Sequence, residues 1–161
     1  MLFLRNIDLR AEGSVGSYDT RHMIVRHCSA SEGSLSTVLN RFPHLETLVF
    51  FEPGVFDLAS VLDALPTNIR HVHTIERHFY SEPNPSDAQR VLPRLESFTY
   101  TLLSSGDAPA DVGPDQDDLA EVQQIVESFI DAPQCTFKYL RSTESPEDAL
   151  AGALSALKLD L

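Results

Sequence analysis

Tryptophan is absent and cysteine occurs only twice in the 161 residues, which excludes a disulfide framework and implies a reducing, cytoplasmic compartment. Basic residues are scarce as well: 12 Lys and Arg stand against 24 Asp and Glu, a formal charge of −12. A nucleic-acid backbone or an anionic membrane calls for clustered cations, so neither is expected as a partner. No apolar run approaches the ~20 residues of a membrane span. Met1 to Leu9 carries Arg5 and Asp8 too early for a signal peptide. What the chain does have is a 42% apolar share over a length suited to one domain, 1–161, with its own core.

An internal repeat organises that apolar content. Leu35-xx-Val38-Leu39-xx-Phe42-Pro43, Leu58-xx-Val61-Leu62-xx-Leu65-Pro66 and Ala88-xx-Val91-Leu92-Pro93 share one layout. The i, i+3, i+4, i+7 spacing describes one face of a helix, and the proline ends each helix at the same place. Asp57 and Ser86 precede two of the runs as N-caps. After each proline comes a stretch with strand character: 44–50, 68–75 and 94–102. Aligned, they read Leu45-xx-Leu48-x-Phe50, Ile69-xx-Val72-x-Thr74 and Leu95-xx-Phe98-x-Tyr100. The pattern extends to Leu4-xx-Ile7-x-Leu9, Val25-xx-Cys28-x-Ala30 and Phe137-xx-Leu140-x-Ser142. First positions 4, 25, 45, 69, 95 and 137 are 21, 20, 24, 26 and 42 residues apart, so the last interval holds an insertion. Within it, 104–118 reads as an acidic loop and Leu119 to Ile130 as a helix. A final helix starts at Ser145-Pro146-Glu147.

The phrases Phe42-Pro43-His44-Leu45-Glu46-Thr47-Leu48 and Leu92-Pro93-Arg94-Leu95-Glu96-Ser97-Phe98 resemble the divergent leucine-rich repeats of fungal, F-box-type eukaryotic proteins. The resemblance spans roughly residues 2 to 157. It implies a repeat region that recognises a protein. No F-box helix triplet precedes Leu2, so the ligase-adaptor role is not carried over. The ninth repeat position, usually asparagine, holds Glu12, Gly33, Pro53, Arg77, Leu103 and Ser145, a departure that bears on the turn geometry.

The expected fold is therefore α/β: a short right-handed leucine-rich-repeat-like solenoid with a mainly parallel sheet of about six strands in sequential order. Helices are expected on one face only. The third and fifth positions of each unit then project from the concave sheet. They are Asn6 and Asp8, His27 and Ser29, Thr47 and Val49, His71 and His73, Ser97 and Thr99, Tyr139 and Arg141. His27, Ser29, Thr47, Val49, His71, His73, Ser97, Thr99, Tyr139 and Arg141 form the expected binding surface. The second position is charged throughout, as Arg5, Arg26, Glu46, Arg70, Glu96 and Lys138, and predicts a charge ladder along the stack.

Short polar side chains on a rigid sheet suit a non-enzymatic protein-interaction module, with no cofactor. An alternative is a small hydrolase or metal-dependent enzyme on the His71/His73 strand, whose two-residue spacing can chelate zinc. The neighbouring strands offer Thr47, Val49, Ser97 and Thr99 and no third ligand, so no metal site is assigned. A nucleophile could be Ser29 or Thr47 beside His71, but no G-x-S-x-G elbow is present and no catalytic residue is assigned. Cys28 beside His27 falls at an inward position and reads as an inert apolar residue. A third reading makes the chain the repeat part of a larger ubiquitin-ligase adaptor. Cys28 and Cys135, four strand steps or roughly 19 Å apart, are expected to be free thiols. The apolar first strand predicts that the edge from Met1 to Arg10 is covered by a second copy in a homodimer, or by the loop from Arg10 to Met23.

Overall fold

The computed structural model describes residues 2–5, 19–26, 34–51, 58–77, 89–103 and 116–159. Its frame is a six-stranded sheet formed by β1 (Leu2–Arg5), β2 (His22–Arg26), β3 (Thr47–Phe51), β4 (His71–Glu76), β6 (Ser97–Leu103) and β8 (Thr136–Ser142). The strands lie in chain order and every pairing is parallel, as expected for one-directional winding. Two short strands, β5 (Arg90–Val91) and β7 (Ile130–Asp131), pair separately. The helices are α1 (Ser34–Leu39), α2 (Leu58–Ala64), α3 (Gln116–Phe129) and α4 (Pro146–Ala156).

Each prolyl junction ends in the same tight turn. The amides of Leu45, Ile69, Leu95 and Cys135 donate to the carbonyls of Phe42, Pro66, Leu92 and Ala132, three residues earlier. The next carbonyl in each unit is shared: Arg21 accepts from the Glu46 and Thr47 amides, Glu46 from Arg70 and His71, and Arg70 from Glu96 and Ser97. Asn68 adds a side-chain tie, its amide donating to the Pro43 and Leu45 carbonyls of the unit before it at 2.7 and 3.0 Å. These bonds tie the entry ends of neighbouring strands together through their backbone groups.

Alternate strand residues feed two separate cores. Met23, Val25, Leu48, Phe50, Val72, Phe98 and Tyr100 pack with Leu35, Leu39, Leu58, Leu62, Val122 and Val126 from α1, α2 and α3. The opposite face carries Ile24, Val49, Phe51, Ile75 and Leu103, buried under Ala149, Leu150, Ala153 and Leu154 of α4. Helices on one face only is thus wrong. The six-position frame stopped one residue short of Phe51 and Ile75, whose apolar side chains make the C-terminal half of the second face demand a cover. α4 supplies it, capped by Ser145, whose hydroxyl accepts from the Asp148 amide and donates to the Asp148 carboxylate, with Pro146 in the first turn. Arg26 pins its start: the guanidinium bonds Glu147 at 2.9 Å and lies 4.4 Å above the Phe51 ring.

Three further expectations fail. The third helical run does not reach Val91, because Arg90 and Val91 are a strand paired with Ile130 and Asp131. The helix in the insertion likewise gives way to β7 at Ile130. The frame of the outer units is displaced as well: Leu48 aligns with Met23 rather than Cys28, Met23 with Leu2 rather than Ile7, and Phe98 with Phe137 rather than Leu140. In the sixth unit the turn residue is Cys135, one residue nearer its strand than Leu95 is, which shifts the whole strand. Cys135 is a free thiol; Cys28, the N-caps Asp57 and Ser86, and loop 104–115 lie outside the described residues.

At the exit end of the strands, Tyr100 is fully buried and its hydroxyl donates to the buried Glu76 carboxylate at 3.0 Å. Burial, and then the Glu76 charge, raise the phenol pKa far above its ordinary value, so it stays a donor. Tyr100→Phe should therefore cost about 1.5–3 kcal/mol, the weight of a buried hydrogen bond to a charged group. A change below half a kilocalorie in urea unfolding would show that Glu76 does not depend on this hydroxyl.

Candidate functional site

Sheet register brings five polar residues into one row across the entry end of the second face: His22, Thr47, His71, Ser97 and Thr136. Each projects to that face because its neighbours Met23, Leu48, Val72 and Phe98 point into the helical core. Thr47 is buried between the two histidines, while His22, His71 and Ser97 are half-buried and Thr136 is exposed. Beside the row runs a line of charges, with Arg21 within 3.8 Å of Glu46 and Arg70 within 3.6 Å of Glu96. The charge ladder is present at Glu46, Arg70 and Glu96, but its first rung is Arg21. Arg26 belongs to the other end of β2, and Lys138 stands beside Thr99.

His71 links row and ladder. Its Nδ1 lies 3.0 Å from the Ser97 hydroxyl and its Nε2 3.8 Å from a Glu96 carboxylate oxygen. With the proton on Nε2 facing Glu96, Nδ1 accepts from Ser97, which is the polarity a serine nucleophile requires. Among the described residues no oxyanion partner accompanies it. The Ser97 amide donates to Arg70 and the His71 amide to Glu46, so the nearest backbone donors are spent in the ladder. Among the described residues no group of three His, Cys, Asp or Glu side chains is placed to hold a metal ion.

Of the expected surface, Thr47, His71, Ser97 and Thr99 lie on this face as anticipated. Val49 and His73 share it but are sealed, Val49 within the core beneath α4. Tyr139 and Arg141 point the other way: Tyr139 stacks on Tyr100 at 6.0 Å, because the displaced frame puts Lys138 and Leu140 on the second face instead. His27 and Ser29 lie outside the described residues, and β2 ends before them. His22, Ile24 and Arg21 hold the places assigned to His27, Ser29 and Arg26. The signal for them was the Met23-Ile24-Val25 run, which fits the sheet when Thr20 replaces a leucine at the turn.

Burial controls the protonation of His73 and lowers the pKa of His22 as well. His73 bonds the Thr101 hydroxyl through Nε2 at 2.9 Å, and desolvation lowers its pKa from 6.5 to about 4. His22 is shifted in the same direction, first by burial. The unfolded chain therefore binds a proton that folded His73 refuses as pH falls from 6.5 toward 4. His73's contribution is complete above that window and lost across it, by about 3 kcal/mol. His73→Gln, which can still bond Thr101, should flatten the decline between pH 7 and 4.5 in urea titrations. An unchanged pH dependence would clear His73 of that role.

Comparison with protein-family models, curated proteins and solved structures finds no match. Among the described residues no helix is long and apolar enough to cross a membrane.

Proposed function

We propose that the chain is a non-enzymatic protein-interaction module of the leucine-rich-repeat type, and that the row from His22 to Thr136 with its charge ladder is the binding surface. The single observation that carries this reading is the division of the second face. Its exit half is sealed by α4, while its entry half presents hydroxyl, imidazole and paired charges on a rigid parallel sheet. Repetition of the same turn and shared-carbonyl bonds supports the solenoid part of the proposal. The partner fitting such a strip is an extended or flat polar protein segment that can interleave with alternating charges.

The test compares immobilised wild-type chain with Arg70→Glu and His71→Ala as affinity baits, followed by titration calorimetry with each purified candidate. A partner retained by wild type and weakened at least about tenfold by either substitution is the expected result. Equal retention by all three chains would contradict it.

The Ser97–His71–Glu96 arrangement favours a second reading, a small hydrolase acting on activated esters. That reading predicts faster p-nitrophenyl acetate turnover by wild type than by Ser97→Ala. The binding reading predicts equal, background-level rates for both.

A further inference from the structure

α4 differs from the other helices in what its departure would break. α1, α2 and α3 each lie between strands of the sheet, whereas among the described residues no strand follows α4. It is joined to β8 by residues 143–145, all exposed. Its grip on the sheet is one-sided. Ala149, Leu150, Ala153 and Leu154 are buried, while Ala151, Gly152, Ser155 and Ala156 on the opposite side are exposed. Two of the four buried anchors are alanines, which contribute little apolar area. The Arg26–Glu147 ion pair fixes where the helix starts but adds little stability, because the Glu147 side chain is 65% exposed.

Two residues also weaken the helix itself. Gly152 stands in its middle, where an added methyl group would meet nothing within 4 Å, so no close approach calls for glycine. Glycine in a helix interior disfavours the helical form about fivefold relative to alanine. Lys158, just past the last turn, has a φ of 56°, the left-handed conformation that glycine adopts without strain. The amides of Lys158 and Leu159 close the helix end on the Ser155 and Leu154 carbonyls, so this strain is held only while the helix is formed. Glycine and a residue with a side chain thus stand in each other's favoured places.

We infer that α4 is a displaceable cover, which leaves the sheet as a unit while the six strands stay paired. Closed, the second face offers only its polar entry half. Open, Ile24, Val49, Phe51, Ile75 and Leu103 extend that half as an apolar strip. The conformational entropy regained by an eleven-residue helix offsets much of the cost of exposing the strip. Use of the strip by the same partner rests on the binding reading above; the opening itself does not.

Native-state hydrogen exchange of the full chain along a urea series, read amide by amide, tests it. The amides of Leu150, Ala153 and Leu154 should be at least about a hundredfold less protected than those of Val72 and Thr74 in β4, which is paired on both sides. The three should share one urea dependence, weaker than that of β4 but not zero. Gly152→Ala should slow exchange throughout α4 about fivefold, and Lys158→Gly should slow it as well. Amides of α4 that exchange only together with β4 would overturn the inference. So would exchange that ignores urea, the mark of a helix fraying in place, or a Gly152→Ala chain whose α4 exchanges as fast as wild type. Because these rates are read without a partner, failure of the opening and failure of the binding reading are told apart.

Discussion

Replacing Leu154 with aspartate is expected to cost about 4 kcal/mol or more, because it combines a lost apolar burial with a carboxylate forced into a dry interface. Leu154 is 2% exposed and packs with Leu150 and Ala153 over Val49, Phe51 and Ile75. The carboxylate can escape only if α4 leaves the sheet, which would expose those three strand residues to water. Urea unfolding should therefore show a large fall in stability, and dye binding should report new apolar surface before the main transition. Ser155→Asp, on the exposed side of the same helix, should change stability by no more than about 0.5 kcal/mol. Equal effects at the two positions would mean that α4 does not lie on the sheet.

Phe98→Ala should be comparably severe, at about 3–5 kcal/mol. Phe98 is fully buried in the centre of the helical core, and its ring stacks on Phe137 at 5.9 Å and 19°. Its loss empties the junction between the central strands and α3 and removes the support for β8. A domain of ordinary stability, about 5–15 kcal/mol, would be left near its unfolding threshold. Phe137→Ala should cost less, because Phe137 is only half-buried at the sheet edge. A smaller loss at Phe98 than at Phe137 would contradict the placement of the core.

The central strands were legible in the sequence because three signals coincide there. Pro43, Pro66 and Pro93 mark the turns, Leu45, Ile69 and Leu95 fill them, and Glu46, Arg70 and Glu96 alternate in charge. Where one signal drops out, the frame slips. Thr20 occupies the turn position of the second unit and hides behind the more apolar Val25, which moved the strand by five residues. The sixth unit keeps Pro133 but has one residue fewer between turn and strand, so the apolar Phe137 mimics a turn residue in the sequence pattern. That slip turned Tyr139 and Arg141 onto the wrong face. The place of α4 was hidden for a different reason. Its amphipathic stripe is plain in the sequence, but the face that receives it depends on Phe51 and Ile75, one residue beyond the repeat pattern. The row His71, Ser97 and Thr47 was legible because it lies in the units read correctly; His22 was not, because it lies in a displaced one.

Modification of the histidines by diethyl pyrocarbonate, read residue by residue by mass spectrometry, tests the divided face most directly. His22 and His71 stand on the open half, whereas His73 is 7% exposed and bonded to Thr101. The folded chain at pH 7 should be modified at His22 and His71 while His73 remains protected until denaturant is added. Modification of His73 at the rate of His71 in the folded chain would contradict it.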